Sequence, residues 1–192
     1  MKFSDREKKD LFKGWIAISI AFGIVLSDNI TDVQFFQNVI IAAITVGVAF
    51  ILHELAHKYF AQKYHCWAEF RSFDFMLILA IIMSFFGFIF AAPGAVMING
   101  HIKKRQSGII SAAGPCTNIL LSLLFLPGFI LVKGEGVLHD LFYYGFVVNA
   151  MLAVFNLLPF AIFDGKKVYE WDKKIWGLLI VVSFVLLVIG WF

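Results

Sequence analysis

The 192-residue chain is 61% hydrophobic, carries 23 Phe and has a mean hydropathy of +0.87, which excludes an ordinary soluble domain and points to an integral membrane protein. Its net charge of +3 comes from Lys and Arg clustered between apolar runs, without the aromatic interleaving of a nucleic-acid surface. The two cysteines, Cys66 and Cys116, form neither a disulfide framework nor a CxxC metal site and read as plain thiols.

The first apolar run, Gly14 to Ser27, follows the charged opening MKFSDREKKD. No A-x-A-like cleavage site follows it, so it reads as a retained first helix. Further runs lie at roughly 36–60, 75–93, 109–132, 140–162 and 175–192, with no linker, repeat or low-complexity segment between them. The expectation is one membrane-embedded domain over 1–192. Its fold class is all-α, a polytopic bundle of about five to six membrane segments with a small β-hairpin or re-entrant element.

The 36–60 run ends in FILHELAHKYF, residues 50 to 60. His53 and His57 are four apart and share a helix face, a spacing that lets two imidazoles bind one metal ion. Glu54 sits where a carboxylate can reach a metal-bound water without being a ligand. The bland alternative, a surface pair, is weak here because ionisable groups inside a membrane helix are costly and usually functional.

The 75–93 run decides the topology. If every run spans once from a cytoplasmic N-terminus, nine basic residues fall inside and seven outside, no bias at all. If 75–93 enters and leaves on one side, every basic residue except Lys133 moves inside, fifteen against one. The positive-inside rule favours this second reading, with the N-terminus and the active-site ends of the helices toward the cytoplasm. After it, Pro93-Gly94 punctuates the chain and Asn99-Gly100 predicts a type I′ hairpin between 95–98 and 101–103. That hairpin is either an ordinary surface turn or a functional edge.

The 109–132 run begins with the small residues SAAGP, which permit close helix approach. Asn118 within it could orient a substrate backbone or assist at an oxyanion, could make an interhelical hydrogen bond, or both. In the 140–162 run, Asn149 and Asn156 are seven apart and read as interhelical polar contacts. Pro159 stops or kinks that helix, placing Asp164-Gly165 in its unwound continuation. Catalytic zinc takes three protein ligands, and the candidates for the third are His65, His101, His139 and the acidic residues near membrane ends. Asp164 is the best placed, because the non-spanning reading of 75–93 puts it near the same side as His53 and His57; the alternative is an aspartate capping a helix.

His53-Glu-Leu-Ala-His57, Gly114-Pro115-Cys-Thr-Asn118 and Asn156-Leu-Leu-Pro159-Phe-Ala-Ile-Phe-Asp164-Gly165 together resemble the site-2 protease family of intramembrane zinc metalloproteases, over roughly residues 36 to 170. The resemblance implies that Asp164 is the third ligand to one zinc ion per chain. It implies a catalytic core built from runs 36–60, 109–132 and 140–162, and substrates that are transmembrane segments of other proteins in the bilayer. The chain would be a minimal member without a PDZ or CBS domain. Glu54 is the expected general base, with Asn118 as a further catalytic candidate. A metal-ion transporter and an inactive membrane scaffold are the alternatives.

Overall fold

The computed structural model describes residues 1–89 and 93–191, and among them the chain is mostly helical with one two-stranded sheet. The order is α1 (Asp5–Val25), α2 (Val33–Ala42), a π-helical turn (Ala43–Gly47), α3 (Val48–Lys63), β1 (Trp67–Ser72), α4 (Asp74–Ser84), β2 (Gly94–Asn99), α5 (Lys104–Leu131), α6 (Val137–Asn156), α7 (Asp164–Trp171) and α8 (Lys173–Ile189). Among the described residues, three helical stretches are long and apolar enough to cross a membrane: Val33–Lys63, Lys104–Leu131 and Val137–Asn156. Five to six such segments were expected. Of the remaining helices, α1 is interrupted by charges through its first half, and α8 has 17 residues.

The chain divides into two compact units, each drawn from separate stretches. The first contains Lys2–Ile51 and Glu69–Met97. Within it α1 runs antiparallel to α2 and the π turn, with Gly23 against Val39 and Gly47 against Trp15. A Cβ at these glycines would fall 2.3 Å from Val39 Cγ2 and 2.6 Å from Trp15 Cδ1. Trp15 donates its indole N–H to the Ala43 carbonyl at 3.0 Å, so the irregular turn is braced from outside the helix. The charged opening is itself helical. Ser4 Oγ accepts the Glu7 N–H at 3.2 Å and caps α1. Glu7 is buried, and its carboxylate accepts the Phe70 N–H at 2.9 Å. Ser72 Oγ donates to Asp10 at 3.2 Å, and Lys13 pairs with Asp74 at 3.2 Å.

The 75–93 run becomes the 11-residue α4 and a return segment, with 90–92 outside the described residues. A helix of that length is about 16 Å long, half the roughly 30 Å hydrocarbon core. The Phe73 N–H, just before α4, donates to the Pro93 carbonyl, just before β2, at 3.0 Å. Phe73 and Pro93 therefore lie side by side.

The sheet corrects the expected hairpin. β2 pairs with β1, and His101–Lys103 are not a strand. A type I′ turn needs positive φ at both central residues, and the non-glycine residues with positive φ are His65 and Ala161, not Asn99. Gly94 lies against Arg71 and Gly100 against Cys66, so the strands run antiparallel and are joined through the α4 segment. The outer side of β1 is occupied: Phe70 bonds Glu7, and the Ala68 carbonyl accepts from Gln62 Nε2 at 3.3 Å.

The second unit contains Leu52–Ala68 and the chain from Ile98 onward. Here α5 and α6 are antiparallel, with the Phe125 ring over Gly145 and the Phe142 ring over Gly128. Ser122 Oγ donates to the Phe146 carbonyl at 2.9 Å. Ile119, Phe146, Ala150, Ala153 and Leu186 form the core where α8 joins the pair. Helix α6 stops at Asn156, because Pro159 disfavours helical backbone in the residue before it. Asp164, expected in an unwound continuation, instead opens the new helix α7. Gly165 makes this possible: a Cβ there would lie 2.0 Å from the Leu157 carbonyl oxygen.

Candidate metal centre

Three elements of the second unit build the site. Helix α3 supplies His53 and His57, both buried, from adjacent turns of one face. Helix α5 presents Ile110, Gly114 and Asn118, spaced by four, along the face opposite them. His57 Nδ1 lies 2.7 Å from the Ile110 carbonyl oxygen, and His53 Nδ1 lies 2.6 Å from Asn118 Oδ1. This pairing, 57 with 110 and 53 with 118, makes α3 and α5 antiparallel at the site. Between the two contacts sits Gly114, where a Cβ would fall 2.4 Å from His57 Nε2 and 2.5 Å from His53 Nε2. The glycine keeps open the space on which the imidazoles converge.

Helix α7 adds the third group. Asp164 Oδ2 lies 3.0 Å from His57 Nε2 and 3.5 Å from His53 Nε2, and the two Nε2 atoms are 3.0 Å apart. Asp164 caps nothing with its side chain; the α7 N-cap is Phe163. Burial alone would push its carboxyl up, but a protonated imidazole against it holds it below the usual carboxylate range.

The donor chemistry fits a metal ion. A backbone carbonyl only accepts, so in its neutral, metal-binding form His57 carries its proton on Nδ1 and turns the Nε2 lone pair inward. The two Nε2 atoms and the Asp164 carboxylate oxygen then converge at 3.0–3.5 Å, a donor set that a cation would hold together. Tetrahedral zinc, with bonds of about 2.0–2.1 Å, places its ligand atoms about 3.3 Å apart. Among the described residues, His53, His57 and Asp164 are the one group of three such donors close enough to share a metal.

The other candidates fall elsewhere. His139 lies 3.4 Å from Asp140 at the start of α6, and neither it, His65 nor His101 joins the donor group. Asn118 is fully buried, with its oxygen at His53 and its nitrogen donating to Asn149 Oδ1 at 3.1 Å. The contact present is thus the interhelical one. Asn149 likewise links helices, whereas Asn156 bonds the Leu152 carbonyl of its own helix at 2.9 Å. Glu54 is buried one residue from His53. The Ile110 carbonyl and the space over Gly114 were not anticipated, although the spacing of Ile110, Gly114 and Asn118 by four was available to show one shared face.

Over an alignment of 194 residues, 99% of this chain and 98% of the relative, the chain is 38% identical to "Putative zinc metalloprotease MJ0611" of Methanocaldococcus jannaschii. It is 29% identical over 150 residues, 66% of each chain, to "Putative zinc metalloprotease YwhC" of Bacillus subtilis. No family model and no solved structure matches it.

Proposed function

The chain belongs to the zinc metalloprotease family of its full-length relative, and from that premise we propose that it is an intramembrane zinc endopeptidase of the site-2 protease type. The observation that carries this reading is the triangle of donors formed by the buried His53 and His57 and the half-buried Asp164. Two of its corners lie on Val33–Lys63, a helical stretch long and apolar enough to cross a membrane. A soluble protease has no use for such a setting; an enzyme that cuts within the bilayer requires it.

In this reading His53 and His57, through Nε2, and Asp164, through Oδ2, hold one zinc ion. Zinc so held supplies Lewis acidity, lowering the pKa of a water and polarising the scissile carbonyl. Glu54 takes the proton of the attacking water and returns it to the leaving amine. Two carboxylates, Glu54 and Asp164, balance the cation, so the buried charges neutralise one another. Asn118 acts through His53. The substrate is a transmembrane segment that must unwind before attack, since a helix hides its amides in i→i−4 bonds. With the outer side of β1 occupied, β2 offers the edge on which such a segment can pair.

The same reading gives a multi-pass protein with α1 and α8 as further membrane segments, 75–93 re-entrant, and the N-terminus and metal centre toward the cytoplasm. The test is zinc content and hydrolysis of a membrane-embedded substrate by the wild type, Glu54→Gln and Asp164→Ala. About one zinc per chain is expected in the first two, with cleavage by the wild type alone. Cleavage by Glu54→Gln, or full zinc in Asp164→Ala, contradicts the mechanism.

A further inference from the structure

The carbonyl of Gly145 sets the direction of a hydrogen-bond chain that ends on His53. Asn149 approaches this carbonyl at 2.8 Å. A carbonyl has no hydrogen to give, so Asn149 must present its amide nitrogen there. Its oxygen is then left to accept from Asn118 Nδ2 at 3.1 Å. That leaves the oxygen of Asn118 facing His53 Nδ1 at 2.6 Å, and an oxygen there accepts the imidazole proton. Both asparagines are fully buried, so solvent cannot reorient either amide. The chain runs from α6 through α5 to α3.

We propose that Asn149 and Asn118 form a tautomer relay, two positioning residues that hold the His53 proton on Nδ1 and keep its Nε2 lone pair turned toward Asp164 and His57. The proposal deepens the reading of His53, His57 and Asp164 as zinc ligands and rests on it. An isolated amide has two orientations of nearly equal shape. With its nitrogen turned to His53, Asn118 would draw the proton to Nε2 and block that ligand. Asn149 removes the choice, because its own orientation is fixed by a backbone carbonyl. His57 needs no relay, since its Nδ1 meets the Ile110 carbonyl directly. Outer-shell partners of this kind orient the ligand and raise its basicity.

The test is zinc affinity of the purified full chain, measured by competition with a chelator, in five proteins: wild type, Asn118→Leu, Asn149→Leu, Asn118→Asp and the double variant Asn118→Asp/Asn149→Leu. Asn118→Leu removes the acceptor and should weaken zinc binding about 10- to 100-fold. Asn149→Leu removes the orienting partner and should weaken it about tenfold. An aspartate at 118 presents oxygen to His53 whichever way it turns, although its second oxygen then opposes the Asn149 oxygen, so Asn118→Asp should weaken binding less than Asn118→Leu does. In that background Asn149→Leu removes the opposed oxygen and should not weaken binding further. Serine replaces leucine wherever a leucine variant does not fold, judged by circular dichroism and gel filtration. Equal weakening by Asn149→Leu in both backgrounds would show that Asn149 acts through packing and overturn the relay. Wild-type affinity in Asn118→Leu would overturn it too, whereas a wild type that binds no zinc refutes the ligand assignment beneath it.

Discussion

At position 114 a single methyl group would stand between the imidazoles. Its carbon would sit 2.4 and 2.5 Å from the two Nε2 atoms, closer than any non-bonded contact allows, and neither ring can retreat while its Nδ1 is held by α5. Gly114→Ala should therefore lower zinc affinity at least about 100-fold, more than loss of an outer-shell partner, with the helical content of the zinc-free protein unchanged; chelator competition and circular dichroism check the two halves. The histidines could be read from sequence because metal chemistry demands those residue types at helical spacing, whereas Asp164 came from topology and the resemblance. Gly114 was legible as one of the small residues that permit close helix approach, not as the opening between the imidazoles. Nor do the contacts of Glu7 and Asp10 follow from the sequence, because their partners, Phe70 and Ser72, lie about sixty residues downstream.

The elements carry two further expectations. Gly165 lets α7 begin against the end of α6, where a Cβ would meet the Leu157 carbonyl oxygen at 2.0 Å. Backbone cannot be repacked as a side chain can, so Gly165→Ala should cost about 1–3 kcal/mol and displace Asp164 from the imidazoles. The thermal midpoint in detergent should fall, and the shift between zinc-loaded and chelator-treated protein should shrink. The second expectation concerns β2. Proline at Val96 or Ile98 removes a backbone donor from the strand, worth about 1 kcal/mol for one hydrogen bond, and should slow cleavage roughly five- to tenfold with zinc content intact; unchanged cleavage would count against substrate pairing there. The strand itself was legible in the residues before Asn99-Gly100, but its partner was not. The hairpin signal is local, whereas the pairing with Trp67–Ser72 is made across α4, and no periodicity encodes a partner at that separation.

For the whole molecule, the proposed topology rests on charge placement: fifteen of sixteen basic residues fall on one side if 75–93 does not span, and the Phe73–Pro93 hydrogen bond is compatible with that arrangement. Single cysteines placed at Lys133, Lys103 and Lys167, in a chain lacking Cys66 and Cys116, should react with an impermeant reagent outside intact cells only at 133; labelling at 103 would demand the all-spanning arrangement. That the site belongs to an enzyme acting within the bilayer is tested most directly by the masses of the fragments released from a single-span substrate in liposomes. Wild-type protein should produce new termini inside the apolar segment, and Glu54→Gln should produce none. Termini lying only in the polar flanks, or identical fragments from Glu54→Gln, would contradict it.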